Sequence, residues 1–306
     1  MSFPPDDPLI QVPAPKPTDQ FVERPVSSPV RVGTAAPGSP AEQSPADAGS
    51  HGPGFEVLPA AEPADPAWNG WDVLRLTFLT IGALFVGVFA VLFIARAWVY
   101  PHRGFGEIAR VPLVVIAGQA LAYLLILAYM YVLVTRERGR PDFLPALHWN
   151  WPSNIAVYVL AGFVLSLTLQ GVAHLLPIPK DLPIDSFFRT PAEAWALGIL
   201  SVTLAPLMEE LFFRGFLYPV LARSLGLPVA VLLTALGFAL LHLAQLGFAW
   251  GPVLVIFLVG LVLTMVRAKT NSLAAGVLVH MAYNGTITLA MFAATDGFRH
   301  LEKLNQ

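Results

Sequence analysis

Two adjacent carboxylates, Glu209 and Glu210, are the only acidic residues between Trp195 and Thr295, in a stretch otherwise apolar enough to lie in a bilayer. A charge at membrane depth costs roughly 2.5–3.5 kcal/mol on insertion scales, so such a pair must be neutralised, solvated or used. Arg214 follows Glu210 at i+4, the spacing at which an acid and a base meet on one helix face. Glu209 points about 100° away and has no such partner. An unpaired carboxylate among apolar helices is a candidate general base. Downstream, Phe238 and His242 are one turn apart in a second apolar run, and His280 and Asn284 are one turn apart in a third. Bundled helices turn such groups inward, because lipid offers them no hydrogen bond. Each piece alone has a plain structural reading: an interhelical hydrogen bond for a histidine, an ion pair for Glu210 and Arg214, packing for Asn284. The set, on three apolar segments of one half of the chain, argues for a shared site.

The composition says what must hold these residues. Of 306 residues, 56% are hydrophobic and 12% charged, far from the balance of a soluble domain, so the expected class is an all-α polytopic membrane bundle. A net charge of −2 gives no basic excess for nucleic acid. With no cysteine, disulfides, thiolate metal sites and cysteine nucleophiles are excluded together.

Residues 1–66 hold 15 of the 28 prolines, with no apolar periodicity, and read as a disordered Pro-rich tail. No cleaved signal is expected, since Pro4, Pro5, Asp6 and Asp7 stand where basic residues would. Membrane helices are expected at 76–95, 111–134 and 154–175, making an N-terminal group over 67–176. Gln170 and His174 in the third read as packing or interfacial residues. A polar loop at 177–193 then leads to a core at 194–295 with helices at 195–218, 228–247, 252–266 and 273–294, about seven in all, before a tail at 296–306. Pro206, one turn before the glutamates, is expected to kink the first of these, and the short link 247–251 to hold a tight helix pair. Basic residues are slightly richer on the side that would also carry the N-terminus, which favours a cytoplasmic N-terminus.

The three motifs Glu-Glu-x-x-x-Arg (Glu209, Glu210, Arg214), Phe-x-x-x-His (Phe238, His242) and His-x-x-x-Asn (His280, Asn284) together resemble the CPBP family. This family comprises type 2 CAAX prenyl proteases and bacteriocin-processing intramembrane endopeptidases, and is also called Abi. The resemblance covers about residues 195–294, and every motif position carries the family's residue. It implies an intramembrane endopeptidase in which Glu209 activates water with His242, Arg214 holds Glu210, and His280 and Asn284 stabilise the oxyanion or complete a metal site. Family members are described both as metalloproteases and as metal-free glutamate proteases. Glu209, His242 and His280 could hold zinc with one position open for water; asparagine is an uncommon zinc ligand, which tilts the reading toward no metal. The implied partners are the bilayer, in the bacterial cytoplasmic membrane, and a peptide or protein substrate, prenylated in the eukaryotic branch. The competing classes are a scaffold with an idle site and a proton-coupled transporter, though the first three helices offer no acid to match the glutamate pair.

Overall fold

The computed structural model describes residues 66–305. Apart from Pro66, the expected tail at 1–66 lies outside the described residues, as does Gln306. Among the described residues there is no strand. Helix α1 (Gly70–Ile94) is started by Asn69, whose side chain accepts from the Trp71 and Asp72 amides while the Asp72 carboxylate returns to the Asn69 amide, a reciprocal cap. After a single turn, α2 (Phe105–Ile108), comes α3 (Pro112–Val132), with proline at its first position, where no amide hydrogen is needed. Both long helices end in a π-helical turn, Ala95–Val99 and Leu133–Glu137. The short α4 (Phe143–Ala146) precedes α5 (Ile155–Ala173), and a 3₁₀ turn, Pro183–Phe187, lies in the loop that follows.

The core then runs α6 (Pro191–Val202), α7 (Leu204–Glu210), a π-helical segment Leu211–Leu217, α8 (Tyr218–Leu225), α9 (Leu227–Leu241), α10 (Trp250–Thr270) and α11 (Leu273–Ala294). The break expected at Pro206 falls at Thr203, whose ψ of −82° ends α6. The displacement has a simple cause: Pro206 has no N–H for the carbonyl four residues back, at Val202, and its ring crowds that carbonyl. Restarting at Leu204 leaves both glutamates in the last turn of α7.

Among the described residues, six helical spans are long and apolar enough to cross a membrane: Gly70–Val99, Pro112–Glu137, Ile155–Ala173, Pro191–Leu225, Trp250–Thr270 and Leu273–Ala294. The seventh expected helix, at 228–247, is shorter. It stops at Leu241 after 15 residues, a length of about 22 Å at 1.5 Å per residue, against about 30 Å of hydrocarbon. His242 ends it by turning its ring back onto the Phe238 carbonyl, and the chain then winds through tight turns with positive φ at Gly247 and Phe248.

The helices meet in pairs, α1 with α3, α5 with α11 and α9 with α10. Each crossing is tight at a glycine. A Cβ on Gly87 would lie 2.4 Å from the Gly118 carbonyl, one on Gly162 would lie 2.3 Å from that of Val279, and one on Gly260 would lie 3.1 Å from Ala235. Small residues allow such approach where helices pack without a hydrophobic driving force between them. Helix α3 also packs on α6 and α7, so the N-terminal group abuts the core next to the glutamates.

Candidate active site

Arg214 is fully buried, and its guanidinium is accounted for on every side. Nη1 donates to Glu210 Oε1 at 2.9 Å, Nη2 to the Gly260 carbonyl at 2.9 Å and Nε to Thr264 Oγ1 at 3.2 Å. The Phe238 ring lies 4.7 Å from its charge centre. Glu210 Oε1 also faces His280 Nδ1 at 3.0 Å, so one carboxylate oxygen is shared by an arginine and a histidine. Its other oxygen has no hydrogen-bond partner and points at Gly276, where a Cβ would stand 2.8 Å away. Gly276 is thus the space that Glu210 occupies.

Glu209 lies outside this arrangement. His242 Nε2 stands 3.9 Å from its Oε1 and His280 Nε2 stands 3.7 Å from its Oε2. Both rings are held from behind. His242 Nδ1 is 2.8 Å from the Phe238 carbonyl, which can only accept, so Nδ1 carries a hydrogen and Nε2 is the nitrogen turned toward Glu209. Glu210 holds His280 in the same sense. Phe238 spaces the two imidazoles, its ring 4.8 Å from that of His242 and 5.7 Å from that of His280. Asn284 donates to the Ser201 carbonyl at 2.8 Å across the α6–α11 contact, which leaves its second amide hydrogen for another acceptor.

These groups open onto a cavity of about 320 Å³ lined by Glu209, His242, His280 and Asn284, with Ile184 and Phe187 of the 3₁₀ turn at its edge. A second cavity of about 340 Å³ lies on the other side of Glu209, between α1, α3, the π segment and α9, and Glu209 is its one charged wall. Gln170 and His174 border a separate hollow, where Gln170 bonds Ser166 of its own helix. Among the described residues, no group of three or more His, Asp and Glu side chains is gathered to hold a metal ion.

Residues 191–286 match the family model described as type II CAAX prenyl endopeptidase, Rce1-like. The matched segment is about a third of the chain. It contains every candidate site residue, from Glu209 to Asn284. The chain is also 28% identical over 140 residues to the UPF0177 protein YbdI of Lactococcus lactis subsp. lactis (strain IL1403), covering 45% of this chain and 72% of that protein. No solved structure matches. The Rce1-like family is a protease family, and with six membrane-length helices among the described residues the chain is a multi-pass integral membrane protein; the family supports CAAX-type intramembrane protease activity. The bacterial relative agrees with a place in a bacterial cytoplasmic membrane.

Sequence reasoning brought together Glu209, Glu210, Arg214, Phe238, His242, His280 and Asn284, and all seven are neighbours in space. It missed Gly276, Gly260, Thr264 and Ser201, which place the others. A signal was present for three of them: Gly276 precedes His280 by one turn in a Gly-x-x-x-His-x-x-x-Asn stripe, and Gly260 precedes Thr264 likewise. Nothing in the sequence marks the Ser201 carbonyl.

Proposed function

We propose that this protein hydrolyses a peptide bond of a membrane-associated protein or peptide in the cavity beside Glu209. The observation that carries the reading is the convergence of two Nε2 atoms on Glu209, at 3.7 and 3.9 Å, with both rings fixed from behind. In the proposed resting state both rings are neutral, so Glu209 and the two Nε2 lone pairs call for an occupant that donates hydrogens, and water supplies two. Glu209 takes one proton while His242 Nε2 holds the other hydrogen, and the oxygen attacks the carbonyl carbon. The carbonyl electrons move to the oxygen, where the remaining Asn284 N–H and His280, to whose Nε2 Glu209 passes the proton it has taken, stabilise them. That proton returns through Glu209 to the departing nitrogen as the carbonyl re-forms and the C–N bond breaks.

Glu210 is the positioning residue that holds the His280 ring against Arg214. The chain's own groups carry each of these steps. The family description makes CAAX-type prenylated peptides the first substrates to test.

The test uses the full chain in liposomes with solubilised bacterial membrane proteins and a prenylated CAAX peptide, new termini being read by mass spectrometry. Glu209→Ala, His242→Ala and His280→Ala are each expected to lower product at least a hundredfold. Equal product from the wild type and all three variants overturns the reading. Elemental analysis and chelation of the same preparation decide metal dependence.

A further inference from the structure

We propose that Gln119, on α3 and outside the segment matched by the family, is a further catalytic residue whose amide N–H holds the oxygen of the scissile carbonyl. Tyr123, one turn on, is the positioning residue that fixes this amide. The inference rests on the proposed function and adds a residue to it.

A hydrolytic site needs donors aimed at the developing oxyanion. In the proposed resting state the His242 and His280 rings spend their Nδ1 hydrogens behind the site, on the Phe238 carbonyl and on Glu210. Asn284 has spent one amide hydrogen on Ser201. Ser201 itself donates to the Gly198 carbonyl at 3.0 Å. The motif residues of the resting site are therefore rich in acceptors and poor in donors.

Gln119 borders the same cavity as Glu209, His280 and Asn284, beside Ile116 on the same face of α3. Its Nε2 donates to Tyr123 Oη at 2.8 Å. An amide nitrogen carries two hydrogens, so one is left over. If the amide were turned the other way, Tyr123 would donate to its oxygen and both hydrogens would be left. In either case at least one N–H remains for an acceptor in the cavity.

Tyr123 lines the second, apolar cavity, again together with Glu209. The pair thus stands beside the base where the two cavities adjoin, with one end in each. Two polar side chains bonded at i and i+4 would satisfy each other anywhere on a membrane helix. This pair instead lies where α3 packs on α6 and α7, and α7 carries Glu209.

The experiment measures kcat and KM on a fluorogenic peptide carrying the cleavage site mapped in the liposome assay, using the full chain. Gln119→Leu and Gln119→Met are expected to lower kcat about a hundredfold with KM unchanged, the loss that follows removal of one oxyanion donor. Both should unfold at the wild-type temperature. Tyr123→Phe should lower kcat severalfold, and this loss should vanish in a Gln119→Leu background, because a residue that acts through Gln119 has nothing left to act on. Two outcomes overturn the inference alone: an inactive Glu209→Ala beside Gln119 variants within twofold of wild type, or a Tyr123→Phe loss that persists undiminished in Gln119→Leu. If Glu209→Ala keeps wild-type activity, or the wild type yields no product, the proposed function itself fails and takes the inference with it.

Discussion

Asp72 and Glu210 are both fully buried and both met by an arginine, yet only Glu210 lies beside the proposed active site. Asp72 sits at the start of α1, where it accepts from the Asn69 amide, pairs with Arg138 from the end of α3 and has Arg75 at 3.8 Å. Arg75 in turn reaches Glu137 at 2.9 Å. Every charge in that group clasps one helix end to another. Glu210 shares one oxygen between Arg214 and His280 and leaves the other without a partner. Its neighbour Glu209 is excluded from the arginine and faces two cavities. A buried ion pair of itself is weak evidence for anything but specific packing. The difference lies in the second carboxylate, which the first arrangement lacks, and in the histidine that ties the paired carboxylate to the unpaired one.

Removing the arginine from each group separates the two most sharply. Arg214→Leu leaves Glu210 buried without its cation and is expected to cost about 3–5 kcal/mol, read as thermal unfolding in detergent, with loss of cleavage. Arg138 is partly exposed, and Asp72 keeps the Asn69 amide and Arg75, so Arg138→Leu should cost about 1.5–3 kcal/mol and leave cleavage per folded molecule unchanged. A smaller change probes the room around Glu210. Gly276→Ala puts a methyl 2.8 Å from its free oxygen and should cost about 1–3 kcal/mol, with a fall in kcat as His280 is displaced.

The smallest expected effect lies outside the membrane spans. Burial, and then the Arg267 guanidinium, hold His148 below the usual histidine value of 6.5. The folded state therefore binds fewer protons there than the unfolded chain, and stability falls as pH drops below 6.5. The decline in unfolding temperature between pH 7.5 and 5.5 should be shallower in His148→Gln. An equal decline in both proteins removes His148 from the balance.

Much of this was legible because membrane helices obey two local rules. Long apolar runs must close their backbone hydrogen bonds internally, so helices at 111–134 and 273–294 could be placed to within a few residues. Side chains at i and i+4 share a face, so Glu210 with Arg214 and His280 with Asn284 could be paired without coordinates. Features that depend on a neighbouring helix or on the local helix type were not legible. Length and hydropathy at 228–247 gave no sign that His242 would turn onto the Phe238 carbonyl and end its helix there. The π-helical turn after Glu210 left no mark in the residue pattern, and neither did the carbonyls of Ser201 and Gly260, since a backbone acceptor has no letter of its own.

The amino-acid sequence by itself determined that the chain is helical, lies in a membrane and carries one paired and one unpaired carboxylate, because those follow from hydropathy and from the pitch of a helix. Only the tertiary structure decided which nitrogen of each histidine faces Glu209, that Gly276 makes room for Glu210, and that Gln119 of α3 reaches the same cavity. Those facts depend on how separate helices pack, and the spacing of residues along one helix does not encode its rotation against another.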